Sequence, residues 1–159
     1  MSMTVSKNGI DLIKKFEGCR LTAYKCPAGI WTIGWGTTNA DKEVIEAVLG
    51  KGARVKDGLK ITQKQANTLL KKSVAKKYDA KVNKYQAKYK FNQNQFDALV
   101  SFAYNVGSID TLVQNGARTI KQISEKILAY NKAGGKELAG LTRRRKAEKA
   151  LFDKKCKKS

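Results

Sequence analysis

Apolar residues recur at helical spacing near the start of the chain, between Ser6 and Glu17. Three of them repeat at every third position: Ile10, Ile13 and Phe16. This spacing predicts an amphipathic helix with lysines on its outer side. Ser6 is the expected N-cap, and Gly18 supplies a residue that can adopt the left-handed conformation that ends a helix.

The pattern changes after Gly18. Segments 21–25 and 30–35 are rich in β-branched and aromatic residues, and the residues between them, Pro27, Ala28 and Gly29, favour a turn. We therefore predict a β-hairpin here. The run 36–58 is rich in loop residues, with a single helical turn expected around 43–49.

Helical periodicity returns after Ile61 and continues to the end of the chain. Three Thr/Asn-x-x-Gln sequences have the form of a capping box: Thr62 with Gln65, Asn92 with Gln95, and Thr119 with Gln122. The helix after Asn92 is expected to be the central core helix and to end at Gly107. Thr142 is predicted to open the last helix, and the tail 156–159 is expected to be frayed.

These elements predict a mainly helical α+β fold in a single domain over residues 1–159. A chain of this length can bury roughly 70% of the surface of its unfolded form. No internal repeat is visible, and no linker is long enough to separate independent domains.

The composition adds an extreme positive charge, since 33 Lys and Arg face 13 Asp and Glu for a net charge of +20. Such a field concentrates a protein near nucleic acids, anionic lipids or anionic cell-wall polymers. The lysines interleaved through 71–88 also fit an ordinary solvated helix face. No helix-turn-helix, zinc-finger or RNP-type signature is present, so we expect no specific nucleic-acid partner.

The chain has three cysteines, no histidine and no Cys-x2-Cys pair. A structural zinc site is therefore not expected, and neither is any other metal or cofactor. Sparse cysteines in odd number are typical of a reducing compartment. The first residues lack the apolar core of a signal peptide, and no stretch is apolar enough for a membrane span. These features predict synthesis in the cytoplasm.

A candidate chemical site lies at 17–32, where Glu17 is followed after eight residues by Cys26 and after five more by Thr32. With the segments 26–34, 95–107, 131–136 and 140–145, this spacing makes the chain resemble the phage-type lysozymes of glycoside hydrolase family 24. The resemblance implies a lysozyme-like two-lobe fold. A small antiparallel sheet lobe would occupy about 18–61, and a long helix would join it to a helical lobe of about 62–159 with the N-terminal helix.

The resemblance also implies an activity, a muramidase (endolysin) that hydrolyses the β-1,4 bond between N-acetylmuramic acid and N-acetylglucosamine in peptidoglycan. Glu17 would be the proton donor, and the helix end and Phe16 would favour its protonated form. Cys26 stands where many family members carry Asp and would be the nucleophile or would orient water. Thr32 would hold that water. A small buried thiol and a strand-packing threonine are the ordinary alternatives.

The resemblance places three more residues, Tyr24, Tyr104 and Asn105, at sugar-contacting positions, although core packing or a helix end would explain them equally well. Arg144 matches the first Arg of the family's Arg-Arg pair, near the acid, whereas Arg145 and Lys146 are expected to face solvent. A disulfide between Cys19 and Cys26 would block the thiol, and we expect two free thiols instead.

The implied partner is bacterial peptidoglycan, with anionic wall polymers or lipopolysaccharide held by the basic surface. We expect a monomer that waits in the host cytoplasm and reaches the wall once a separate holin has permeabilised the inner membrane. Two alternatives remain at this stage: a wall-binding module without activity, and a basic nucleic-acid-binding protein.

Overall fold

A computed structural model describes residues 2–156, which form a mainly helical α+β protein with two small antiparallel sheets. In chain order the elements are α1 (Lys7–Glu17), β1 (Arg20–Lys25), β2 (Trp31–Gly34), β3 (Thr37–Thr38), α2 (Lys42–Leu49), α3 (Gln63–Ser73), α4 (Asp79–Asn83), α5 (Gln86–Tyr89), α6 (Gln93–Val106), α7 (Ile120–Ile127), β4 (Lys132–Ala133), β5 (Lys136–Glu137) and α8 (Ala139–Asp153).

The chain divides into two compact units, one formed by Lys14–Lys76 and the other by residues 2–13 with 77–156. The predicted sheet lobe at 18–61 and helical lobe at 62–159 stay a prediction. None of the helices within residues 2–156 is both long enough and apolar enough to cross a membrane.

The unit Lys14–Lys76 is built on the predicted hairpin. Strands β1, β2 and β3 form one antiparallel sheet in that order, with Tyr24 opposite Thr32. Gly29 adopts φ +80° in the turn between β1 and β2, a conformation that glycine adopts without steric strain. The sheet packs on α2 and α3 around a buried apolar cluster: Ala23, Ile33, Val44, Ile45, Val55, Ile61, Ala66 and Leu69.

The loop-rich segment 36–58 contains more structure than its sequence predicts. The single turn expected at 43–49 is the two-turn helix α2, Lys42–Leu49. Asn39 holds the loop that follows, because its side-chain amide both donates to the Val55 carbonyl (2.9 Å) and accepts from the Val55 N–H (2.8 Å). The capping box of Thr62 and Gln65 is confirmed at the start of α3.

The other unit is organised around α6. Most of this helix is buried, and it packs along the length of α8. The capping boxes at Asn92 and Thr119 are confirmed, and α6 ends at Gly107 with φ +113°. The predicted role of α6 as the core helix of this unit is therefore confirmed.

The N-terminal segment is attached by polar contacts that sequence reasoning missed. Ser6 directly precedes α1, the position predicted for the N-cap, and its carbonyl accepts from the Ile10 N–H (3.2 Å), while its hydroxyl donates to the Asp97 carboxylate. The Ser6 N–H also donates to Asp97 (2.8 Å), and the N–H of Met3 donates to the Asn83 side chain (2.8 Å). Gly9 allows this close approach, because a Cβ there would lie 3.0 Å from Asp97.

The predicted start of the last helix needs correction. The last helix begins at Ala139, three residues before Thr142, whose hydroxyl accepts from the Asn131 side chain (3.1 Å) instead of capping a helix. Before this helix, Gly134 and Gly135 form the turn of the β4–β5 hairpin. Of the tail expected to fray, residues 157–159 lie outside the described residues.

Candidate functional site

Glu17 is the last residue of α1 and is half-buried. The helix stops there because Gly18 adopts φ +70°, and the Gly18 N–H still donates to the Lys14 carbonyl (3.4 Å). β1 begins two residues later at Arg20. The chain therefore presents this carboxyl group at the carbonyl end of a helix, immediately before the hairpin.

Cys26 lies at the start of the hairpin turn. Its N–H donates to the Ile30 carbonyl (2.9 Å), and its carbonyl accepts from the Gly29 N–H (2.8 Å). Hydrogen bonding to the Ile30 backbone lowers the pKa of the Cys26 thiol; desolvation opposes this, and the Ala28 backbone and the Thr32 hydroxyl add to the lowering. The turn thus stabilises the thiolate, the form of cysteine that acts as a nucleophile.

Thr32 is buried, with 5% of its surface exposed, and its hydroxyl contributes to the lowering of the Cys26 thiol pKa. The same hydroxyl donates to the Ile30 carbonyl (3.0 Å). A hydroxyl has one proton to donate and two lone pairs to accept with. It can therefore accept from the Cys26 thiol while bound to Ile30, or turn its proton toward the thiolate.

Tyr24 lies opposite Thr32 on the neighbouring strand and is half-buried. The Arg20 guanidinium lies 4.1 Å from the centroid of its ring, a cation–π contact that covers one face of the ring. Tyr24, Cys26 and Thr32 thus share one hairpin, and together with Glu17 they all belong to the unit Lys14–Lys76.

The remaining candidates, Tyr104, Asn105 and Arg144, belong to the other unit. Tyr104 packs against Tyr78 with ring centroids 5.1 Å apart. Asn105, one residue further along α6, is exposed, and its side-chain oxygen accepts from Arg145 Nη2 (2.8 Å).

Arg144 is only 3% exposed, and it contacts the side chain of Glu148 and the backbone of Ser101. Its Nε donates to Glu148 Oε2 (3.2 Å), and its Nη2 donates to the Ser101 carbonyl (3.1 Å). The prediction that Arg145 faces solvent is wrong: this side chain is fully buried, with Nε 2.8 Å from Glu148 Oε1 and the guanidinium 4.8 Å from the centroid of the Phe102 ring.

Sequence reasoning missed Glu148 and Ser101, which join these arginines. A signal was present, because Arg144 and Arg145 stand four and three residues before Glu148, the spacings at which helical side chains meet. The sequence could not predict that these side chains are buried, because their burial follows from the packing of α8 on α6. Cys19 and Cys26 are both free thiols, as expected.

The family model described as phage lysozyme matches residues 14–148. An endolysin of Lactococcus phage c2 is 43% identical over 156 residues, which cover 96% of this chain and 61% of that endolysin. The solved endolysin from Escherichia coli O157:H7 phage FAHEc1 is 37% identical, with a TM-score of 0.75 over 95% of this chain and 94% of that one. The muramidase domain of SpmX from Asticaccaulis excentricus is 29% identical, with a TM-score of 0.71 over 96% and 99%.

The chain spans about three fifths of the length of the Lactococcus phage endolysin and nearly the whole of both solved proteins. These similarities confirm the predicted mainly helical, lysozyme-like α+β fold. The family match runs through Glu17, the hairpin and both buried arginines. The chain belongs to the phage lysozyme family.

Proposed function

We propose that this protein is an endolysin, a muramidase that hydrolyses the β-1,4 bond between N-acetylmuramic acid and N-acetylglucosamine in peptidoglycan and so lyses the host cell. The observation that carries this proposal is the arrangement on the hairpin that directly follows Glu17, where the Cys26 N–H (2.9 Å) and the Thr32 hydroxyl (3.0 Å) both donate to the Ile30 carbonyl. Family membership and the similarity to a solved muramidase domain support it.

Glu17 is the proposed general acid. Glycosidic cleavage requires a proton for the leaving oxygen and a second group that acts at the anomeric carbon. Glu17 suits the first task because its carboxyl group is half-buried at the end of α1, immediately before the hairpin that carries Cys26 and Thr32.

Cys26 and Thr32 carry the second task by one of two routes. In the covalent route the Cys26 thiolate attacks the anomeric carbon while Glu17 protonates the departing oxygen, and water then hydrolyses the thioglycoside. In the other route Thr32 holds a water molecule, which gives its proton to the Cys26 thiolate as its oxygen attacks. The lowered pKa of the Cys26 thiol serves both routes, because each begins with a thiolate.

The proposed sugar contacts are Tyr24, Tyr104, Asn105 and Arg144. Aromatic rings offer apolar faces to sugars, and the exposed side chain of Asn105 offers amide hydrogens. The buried Arg144 is proposed to act near the acid, as the family resemblance implies.

The proposed partners beyond peptidoglycan follow from the net charge of +20. We propose that the basic surface holds the enzyme on anionic wall polymers or lipopolysaccharide. We further propose a monomer that accumulates in the host cytoplasm and reaches the wall after a separate holin opens the inner membrane.

The test uses purified peptidoglycan and compares the wild type with Glu17→Gln, which preserves shape and removes the transferable proton. We expect the release of reducing ends to fall by about 10²-fold to 10⁴-fold. Glu137→Gln is the matched control, since it makes the same charge change at an exposed residue of β5 and should keep full activity.

If the Glu17→Gln variant were as active as the wild type, Glu17 would not be the general acid. A wild type that sediments with peptidoglycan and releases no reducing ends would identify a binding module instead. Retention of DNA of any sequence with no release of reducing ends would favour the nucleic-acid alternative.

A further inference from the structure

A buried cluster of charged side chains connects α6 to α8. Glu148 and Arg145 are fully buried, Arg144 is 3% exposed, and Ser101 on α6 is fully buried. Charged side chains are almost never fully buried unless they are paired. The burial of these side chains therefore depends on their specific pairing with one another and does not follow from the high charge of the chain.

Glu148 is the centre of the cluster. Its Oε2 accepts from the Ser101 hydroxyl (2.6 Å) and from Arg144 Nε (3.2 Å), and its Oε1 lies 2.8 Å from Arg145 Nε. Burial raises the pKa of the Glu148 carboxyl, and the guanidinium groups of Arg145 and Arg144 and the Ser101 hydroxyl oppose that rise. One carboxylate thus sets the orientation of two guanidinium groups.

The cluster reaches the surface through Asn105. Arg145 Nη2 donates to Asn105 Oδ1 at 2.8 Å, and the Asn105 side chain is exposed. Arginine is a donor only, so the atom of Asn105 that faces Arg145 must be the amide oxygen. The Asn105 NH₂ group is therefore the end that remains for a ligand, and it can only donate.

We propose that Glu148 is a positioning residue for substrate: by holding Arg145 it fixes Asn105 as a hydrogen-bond donor toward an acceptor oxygen of the glycan, of the kind that an N-acetyl carbonyl supplies. This inference rests on the proposed function. Glu148 itself is fully buried, so it acts on the substrate through the groups that it orients: Arg145 with Asn105, and Arg144.

The first test is Glu148→Gln, with kcat and KM measured separately on soluble, uncross-linked peptidoglycan chains. Loss of the carboxylate frees Arg145 and lets the Asn105 amide rotate. We expect KM to rise about fivefold to tenfold, the effect of one lost hydrogen bond. Because Glu148 also orients Arg144, kcat is compared in Asn105→Asp, which leaves Glu148 and Arg144 in place and should keep kcat within about threefold, as for lost ground-state binding. Glu148→Asp, which keeps the charge, should restore part of the loss.

Asp153→Asn is the matched control. Asp153 is another carboxylate of α8, it accepts from a serine of a neighbouring helix, Ser124 (2.6 Å), and it pairs with Lys149 (2.5 Å). It has no connection to Asn105 in these contacts. We expect Asp153→Asn to lower the melting temperature and leave KM unchanged.

A double-mutant cycle supplies the second test and does not depend on the stability of Glu148→Gln. Asn105→Asp keeps the oxygen that faces Arg145 and removes the donor, so it should raise KM by a similar factor. In the Asn105→Asp background, Glu148→Asp should then change KM no further, because residues that act through one contact are not additive.

Three results would overturn the positioning role: an unchanged KM in Asn105→Asp, additive effects in the cycle, or an equal rise of KM in Asp153→Asn. A wild type that releases no reducing ends would refute the proposed function itself, and this inference with it. An active wild type combined with any of the three results refutes the role of Glu148 alone.

Discussion

Replacing Asp79 with asparagine should stabilise this protein at neutral pH, although it removes a buried charge that is hydrogen-bonded. Asp79 is 4% exposed; its Oδ2 accepts from the Val5 N–H at 3.4 Å, and its Oδ1 has no hydrogen-bond partner among residues 2–156. Burial raises the pKa of Asp79 to about 6 from 3.8, the Val5 N–H opposes the rise, and the neighbouring Asp97 carboxylate adds to it.

The direction in which stability changes with pH follows from the linkage between proton binding and folding. Between pH 3.8 and about 6 the folded protein holds the Asp79 proton more tightly than the unfolded chain does, so stability is lost as pH rises through this window. Each unit of pKa difference between the folded and unfolded states corresponds to ~1.4 kcal/mol. The ionised Asp79 therefore lowers the free energy of unfolding by about 3 kcal/mol at pH 7.5. Asparagine carries no charge at any pH, and its amide oxygen can still accept from Val5.

The assay is thermal unfolding of the wild type and Asp79→Asn at pH 7.5 and at pH 3.5. We expect the variant to melt higher at pH 7.5 by roughly 6–12 °C, since 1 kcal/mol shifts the melting temperature of a chain this size by about 2–4 °C. At pH 3.5, below the unfolded-state pKa of 3.8, most Asp79 carboxyls are protonated in both states, and the difference should fall close to zero.

Asp110→Asn provides a control of opposite sign. Tyr85 and Lys84 donate to the Asp110 carboxylate at 2.5 Å and 3.2 Å and lower its pKa, so this substitution should destabilise the protein at pH 7.5 and lose its effect as pH falls. A variant Asp79→Asn that is no more stable than the wild type at pH 7.5, or equally shifted at both pH values, would refute the reasoning.

Three further predictions concern the hairpin, the basic surface and the end of α1. Cys26→Asp should keep activity and extend it to lower pH, because a carboxylate ionises well below even a thiol of lowered pKa; complete loss in the pH–rate profile would show that the thiol itself is required. Lysis of whole cells should weaken several-fold between ~0.01 M and ~0.3 M salt, where the screening length falls from ~30 Å to below ~10 Å, and a flat salt profile in the turbidity assay would count against wall attraction by charge. Gly18→Ala should lower the free energy of unfolding by about 1–2 kcal/mol, since Gly18 has φ +70° and alanine is strained there; denaturant unfolding measures this, and unchanged stability would contradict it.

The candidate site shows where local sequence is informative. The Glu17–Cys26–Thr32 spacing and the turn residues between β1 and β2 identified a helix end and a hairpin, and both are found. Such features depend on neighbouring residues alone. The sequence spacing could not predict that the Cys26 N–H and the Thr32 hydroxyl both donate to the Ile30 carbonyl, or that the pKa of the Cys26 thiol is lowered, because both depend on the path of the backbone through the turn.

The arginines of α8 show the opposite case. Three consecutive arginines in a chain of +20 charge resemble a solvated surface, and the sequence favoured that interpretation for Arg145. Its burial depends on Glu148, one turn later, and on Ser101 and Phe102, more than 40 positions earlier on α6. No local sequence pattern predicts a contact between residues so far apart along the chain.

By itself the sequence determined the three capping boxes, the hairpin, the mainly helical α+β class and the family, because these depend on short-range hydrogen bonding, side-chain period and motif spacing. Only the tertiary structure decided which charges are buried. Asp79, Arg144, Arg145 and Glu148 look like ordinary surface residues until α4, α6 and α8 pack. These side chains are removed from water only by that packing. Their burial raises the pKa values of Asp79 and Glu148 and brings Glu148 into contact with both arginines.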